Sequence, residues 1–171
     1  GHVGRFNQQK NHDFLIDVFQ ELHNVNPDAR LVLVGAGELE NAVRQKVSAL
    51  GLEDDVIFTG VRRDIPQLLS AFDVFLFPSL YEGMPNTVIE AQATGLPCVI
   101  SDTITRQAKI TDLIDFCSLK SAASAWADAC AKAKVMDRSK YHDALIEAGY
   151  DIRDVVPQFI KWTFESDTPN G

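Results

Sequence analysis

The chain has 171 residues, 46% apolar and 23% charged, which suits one globular domain with a real core rather than two. Its formal net charge of −8 argues against binding nucleic acid through bulk positive charge, so no nucleic-acid partner is expected. No apolar run approaches membrane-spanning length and no secretory signal pattern opens the chain, so the expected compartment is the cytoplasm.

The opening GHVGRF has no initiating Met and reads as a strand end entering a loop, as in a fragment of a larger protein. Strands are predicted at His2 to Val3, Leu31 to Val34, Val56 to Thr59, Val74 to Phe77 and Cys98 to Ile100, with a further short one near Phe116 to Ser118. They are short and apolar on both faces, as strands covered on both sides are. Between them run helical stripes. Phe14, Leu15, Val18, Phe19 and Leu22 form the first. Leu39, Val43, Val47 and Leu50 form the second, stopped by Gly51. Ile65, Leu68 and Leu69 mark a short third with Asp64 as N-cap. A fourth runs from Val88 to Thr94 and ends at Gly95.

Alternating strand and helix predicts an α/β, Rossmann-like fold with a mostly parallel sheet and helices on both faces. After Ser118 the pattern is helical only. Ser121 is expected to cap a helix through Val135, and a second helix spans Lys140 to Ala148. The tail over 150–171 carries Val155, Val156, Phe159, Ile160, Trp162 and Phe164, with Pro157 in the first turn of a helix. This apolar tail either packs on the chain's own sheet or crosses to a domain outside the chain.

Cys98, Cys117 and Cys130 are odd in number and widely spaced, which reads as buried free thiols rather than a disulfide framework or zinc site. The four histidines form no ligand pair at helical spacing, and no two aspartates are separated by a single residue. No metal or cofactor is expected.

Open parallel sheets bind ligands beyond the C-terminal ends of their strands, and three loops fall there. In GRFNQQKN, Arg5 and Lys10 precede the first helix. Two cations at a helix start suit a diphosphate; a solvated basic loop is the plainer reading. VGAGELE has Gly35 and Gly37 of a dinucleotide fingerprint, but Glu40 replaces the third glycine and no acid closes the next strand. The third loop is SLYEGMPNTVIEAQATGLP, Ser79 to Pro97. Its helix start at Asn86 or Thr87 offers free N–H groups. Glu82 and Glu90 flank it, and carboxylates of this kind accept paired hydrogen bonds from sugar hydroxyls. Glu90 has a structural alternative: with Thr87 as N-cap, Thr87 and Glu90 make a capping box.

The third loop resembles the donor-site motif of retaining GT-B glycosyltransferases of family 4, the group 1 glycosyltransferases. The stretch FLFPSLYEGMPNTVIEAQATGLPCVISD carries two glutamates with seven residues between them, as that motif does. GRFNQQKNHDFLIDVF, LVLVGAGELE and VIFTGVRRDIPQLLSAFDVFLFPS resemble the family's other blocks in order and spacing. The resemblance implies one half of a GT-B fold, a single nucleotide-sugar-binding domain over 1–171. Its acceptor-binding N-terminal domain would lie outside the chain, and membrane association would come from that part.

The resemblance also implies roles. Arg5, Lys10 and Glu82 would be catalytic, the two cations on the donor diphosphate and Glu82 on sugar hydroxyls. Glu90 would hold the ribose. Gly4, Gly35, Gly37, Gly83, Met84, Pro85, Asn86 and Thr87 would line donor sugar and phosphate, and Val61 and Arg62 would border the base. Gly-Met-Pro stands where Gly-Phe-Gly is the more common form. The EG-x-P form looks most like enzymes of capsular and exopolysaccharide assembly, with a UDP-sugar donor and a polysaccharide or lipid-linked acceptor. The chain alone is expected to bind donor without transferase activity. The alternatives are an NAD-dependent oxidoreductase half and a non-catalytic nucleotide-sugar-binding module.

Overall fold

The computed structural model describes residues 1–134, 137–150, 153 and 157. Its strands are β1 (His2–Val3), β2 (Leu31–Val34), β3 (Val56–Phe58), β4 (Phe75–Phe77), β5 (Cys98–Ser101) and β6 (Ile114–Cys117). Its helices are α1 (His12–Val25), α2 (Glu40–Ala49), α3 (Ile65–Ala71), α4 (Asn86–Ala93), α5 (Ala123–Lys132) and α6 (Ser139–Glu147). Single 3₁₀ turns stand at Gln8–Lys10 and Arg106–Ala108.

Every strand pairing is parallel, in the orders β1-β2-β3 and β4-β5-β6. The two sets meet along β1 and β4. There Leu76 N–H donates to the Gly1 carbonyl at 2.9 Å, the Gly1 amino group donates to the Val74 carbonyl at 2.7 Å, and His2 Nδ1 lies 2.9 Å from the Leu76 carbonyl. The strands therefore run 3-2-1-4-5-6, and the order reverses between β1 and β4. In open α/β sheets that reversal opens a crevice at the strands' C-terminal ends.

Alternation along the strands builds two cores, one on each face. Leu31, Leu33, Leu76 and Val99 join Leu15, Val18, Phe19, Val43 and Trp126 under α1, α2 and α5. Val34, Phe75, Phe77, Cys98 and Ile100 join Leu69, Val88 and Ala91 under α3 and α4. Helix α5 returns to the first face, where the buried Trp126 meets Phe14 edge-on at 5.6 Å. The thiols of Cys98, Cys117 and Cys130 are free, and burial raises the pKa of all three, that of Cys117 to about 11.

The helix starts differ from their sequence signals. Asp64 stands at the N-cap of α3, but its carboxylate accepts from Arg62 Nε at 2.8 Å and Nη2 at 2.6 Å, and caps nothing. The N-cap of α5 is Ala122, so Ser121 is not its cap. Helix α4 begins at Asn86 after Pro85, whose extended backbone makes it the N-cap. Glu90 is then the fifth helical residue, not the third, and the Thr87–Glu90 capping box does not form. The apolar cluster from Val155 to Phe164 lies outside the described residues, as does Val135.

Gln92 in α4 is fully buried. Its Nε2 donates to the Ala108 carbonyl at 2.9 Å, and its Oε1 accepts from Ile110 N, Thr111 N and Thr111 Oγ1 at 3.0–3.1 Å. One side chain thus satisfies the backbone of the segment that leads into β6.

Candidate functional site

The loops after β1 and β4 close on one another at the reversal. Asn7 starts the 3₁₀ turn by accepting from Lys10 N at 3.1 Å. Asn11 takes the left-handed conformation, with φ 54°, and its Nδ2 donates to the Pro78 carbonyl at 3.1 Å. Leu80 N donates to the Gln9 carbonyl at 2.8 Å, and Gln9 Nε2 donates to the Tyr81 carbonyl at 2.9 Å. These bonds fix Lys10 opposite Glu82.

Lys10 Nζ lies 2.6 Å from Glu82 Oε1, and the two side chains are only 16% and 10% exposed. The ammonium also stands 4.6 Å from the Phe77 ring centroid, within cation–π range. The sequence named both residues for the ligand but did not show that they face each other.

The loop after β2 packs on the loop after β1 through its glycines. Phe6 N donates to the Ala36 carbonyl at 3.1 Å and Leu39 N to the Phe6 carbonyl at 2.9 Å. Gly35 has φ +139°, and a Cβ there would sit 2.1 Å from the Gly4 carbonyl oxygen; one at Gly37 would sit 2.4 Å from that of Phe6. The protein's own backbone therefore accounts for the Gly-x-Gly pattern. A Cβ at Gly83 would meet nothing within 4 Å. There the missing side chain leaves open space on the site.

Arg5 points to solvent, 71% exposed, and its Nη2 lies 3.3 Å from Glu38 Oε2. Sequence reasoning missed Glu38, whose role as partner depends on loops that meet only in the fold. Gly35 N donates to the Gly60 carbonyl at 2.9 Å, which brings the turn before Val61 and Arg62 alongside. Val61 is exposed, and Arg62 is engaged with Asp64.

At the other wall, Met84 and Asn86 are exposed, Pro85 is buried and Thr87 is half-buried. No side chain caps α4, so the leading main-chain N–H groups and the positive end of the helix dipole are available to an anion. Glu90 has lost its capping alternative. It lines a groove with His142, Leu145 and Tyr150 of the α6 region, and partial burial raises its pKa. Among the described residues, no group of three or more His, Cys, Asp or Glu side chains is placed to hold a metal ion.

A family model described as "Glycosyl transferases group 1" matches residues 1–133. The chain belongs to this family. The EpsF protein of Bacillus subtilis (strain 168), named as a glycosyltransferase, is 39% identical over 160 residues, 91% of this chain and 42% of that protein. UDP-Gal:alpha-D-GlcNAc-diphosphoundecaprenol alpha-1,3-galactosyltransferase of Escherichia coli is 42% identical over 103 residues, 58% of this chain and 27% of that enzyme. The chain thus spans less than half the length of these relatives.

Among solved structures, Anabaena HepE with UDP superposes with a TM-score of 0.79 at 23% identity, over 97% of this chain and 48% of that one. A point mutant of S. aureus TarM, in complex with Fondaparinux, alpha-GlcNAc-glycerol and UDP, also gives 0.79, at 22% identity over 94% of this chain and 34% of that one. The glycosyltransferase domain therefore has the Rossmann-like α/β fold of the GT-B enzymes. Family membership sets the oxidoreductase alternative aside.

Proposed function

We propose that this domain binds the donor of a retaining glycosyltransferase that moves a sugar from a UDP-sugar to a polysaccharide or lipid-linked acceptor. The observation that carries the proposal is the Lys10–Glu82 pair at the reversal of the sheet, beside the uncapped start of α4. A cation, a carboxylate and free N–H groups at one crevice match the parts of a nucleoside-diphosphate sugar. UDP is favoured because the TarM and HepE structures both contain it. A lipid-linked or polysaccharide acceptor is favoured by the named substrate of the E. coli relative.

In this reading Lys10, Arg5 and the start of α4 stabilise the diphosphate as it leaves. Fixed charges and dipoles do this without reorganising during the reaction. Glu82 is the counter-ion of Lys10 until the diphosphate takes that place. Glu82 is then free to accept from sugar hydroxyls, and Glu90 holds the ribose. Gly83, Met84, Pro85, Asn86 and Thr87 shape the sugar side, and Val61 and Arg62 border the base. The acceptor site and the rest of the catalytic centre belong to the part of the protein outside this chain.

Calorimetric titration with UDP, GDP, ADP and NAD tests the reading. Selective binding of UDP, weakened by Glu90→Ala and by Arg5→Ala, is the expected result. Binding of NAD alone, or UDP binding indifferent to both changes, would overturn it.

A further inference from the structure

Beneath Lys10 the chain places two imidazoles among phenylalanines. His2 is fully buried and His12 nearly so. His12 stacks on Phe6 with 4.2 Å between centroids and meets His2 edge-on at 4.7 Å, while His2 stacks on Phe77 at 5.5 Å. Three of the four ring nitrogens, His2 Nε2 and both of His12, are buried with no hydrogen-bond partner. His2 Nδ1 faces the Leu76 carbonyl, so it carries the proton and Nε2 carries the lone pair. A buried polar group left without a partner forfeits its hydration and so destabilises the fold. At position 12, where neither ring nitrogen is paired, phenylalanine in the same space would avoid that loss, so stability does not explain that choice.

Position does. A Cβ on Gly4 would lie 2.7 Å from His2 Nε2 and 3.2 Å from Lys10 Cγ and Cδ. His2 and the stem of Lys10 therefore share the space over Gly4. The Lys10 ammonium rests over Phe77, the ring on which His2 stacks. Lys10 also ends the turn that leads directly into His12 and α1. Burial keeps both imidazoles neutral, and nearby Lys10 acts in the same direction on each. A neutral ring beside a lysine stem adds no repulsion, whereas an imidazolium would.

We propose that His2 and His12 are positioning residues for Lys10, a neutral imidazole pair whose ring nitrogens, His2 Nε2 among them at the space over Gly4 that the lysine stem shares, hold the ammonium where it meets Glu82 and, in the liganded site, the donor diphosphate. The second half rests on the donor-binding reading; the first does not.

The test separates the two halves. Lys10 is acetylated with acetic anhydride in the purified chain and in its His12→Phe and His2→Phe variants, with labelling resolved by residue in a mass spectrometer and each melting temperature recorded. Lys10 labelling is expected to rise at least about threefold, with Lys46 labelling unchanged and the melting temperature of His12→Phe not lowered. Unchanged Lys10 labelling overturns the proposal, and so does a uniform rise across all lysines with a lower melting temperature. If His2→Phe does not fold, having lost its bond to Leu76, His12→Phe decides alone.

For the second half, UDP affinity is measured in a cycle of His12→Phe and Lys10→Met. The double variant is expected to bind no more weakly than Lys10→Met, and additive losses overturn this half. If the unmodified chain binds no UDP, the donor reading fails and the second half with it, while the labelling result still decides the first.

Discussion

Lys10 and Glu82 stand 72 positions apart in the chain and 2.6 Å apart in space, where the two sets of strands meet. Both side chains are mostly buried, so neither charge is well solvated when its partner is removed. Lys10→Met or Glu82→Gln alone is expected to lose about 3 kcal/mol, and pairing Lys10→Met with Glu82→Leu is expected to recover most of it. Urea denaturation of the four proteins checks this. A loss in the double variant equal to the sum of the two single losses would show that the pair is not coupled.

Glu90 behaves differently, because it caps nothing and lies at the edge of a groove. Glu90→Ala is expected to change stability by less than about 0.5 kcal/mol while weakening UDP binding. A melting curve beside a titration reads both. A large stability loss with unchanged affinity would return Glu90 to a structural role.

Gln92, two residues further along α4, is the structural counterpart. Gln92→Leu keeps the apolar volume but strands the N–H groups of Ile110 and Thr111. A loss of about 3 kcal/mol is expected, together with faster amide exchange at Ile110 and Thr111. Native-state hydrogen exchange checks it, and unchanged protection at those two amides would refute it.

Acid sensitivity follows from His12. Its pKa is lowered from 6.5 to about 4, by burial first and by Lys10 second. The folded value is the lower one, so the unfolded chain takes the proton first as pH falls. The stability tied to neutral His12 is therefore full above about pH 6.5 and is lost between 6.5 and about 4, a difference of about 3 kcal/mol. His2 is shifted in the same direction, by burial first and then by His12 and Lys10, with the Leu76 carbonyl opposing them. His12→Phe is expected to flatten the fall in melting temperature between pH 7 and pH 4.5. An unchanged slope would assign the acid loss to other groups.

The strands were legible because their apolar runs face two cores at once. Phe75 and Phe77 look one way and Leu76 the other, and no loop or amphipathic helix carries that pattern. The helix starts were less so. Asp64 and Ser121 are good capping residues, but Arg62 holds Asp64, and the backbone reaches helical geometry only after Ala122. The start of α4 depends on the extended backbone of Pro85, which the string TVIE does not contain. The candidate site was legible as residue types in loops. What could not be read was who faces whom. The Lys10–Glu82 and Arg5–Glu38 pairs depend on loops joined only by the sheet, and the Gln92 contacts reach a segment with no periodic signal.

Helix α5 follows the last strand yet covers the face built by the first helices, where Trp126, Ala127 and Cys130 close over Leu15, Val18 and Phe19. A chain emerging from the ribosome has therefore made all six strands before that face is covered. Until residues near 130 leave the exit tunnel, the nascent chain presents an oily surface that another molecule can seize. The order of synthesis thus makes one late helix the step that closes this face.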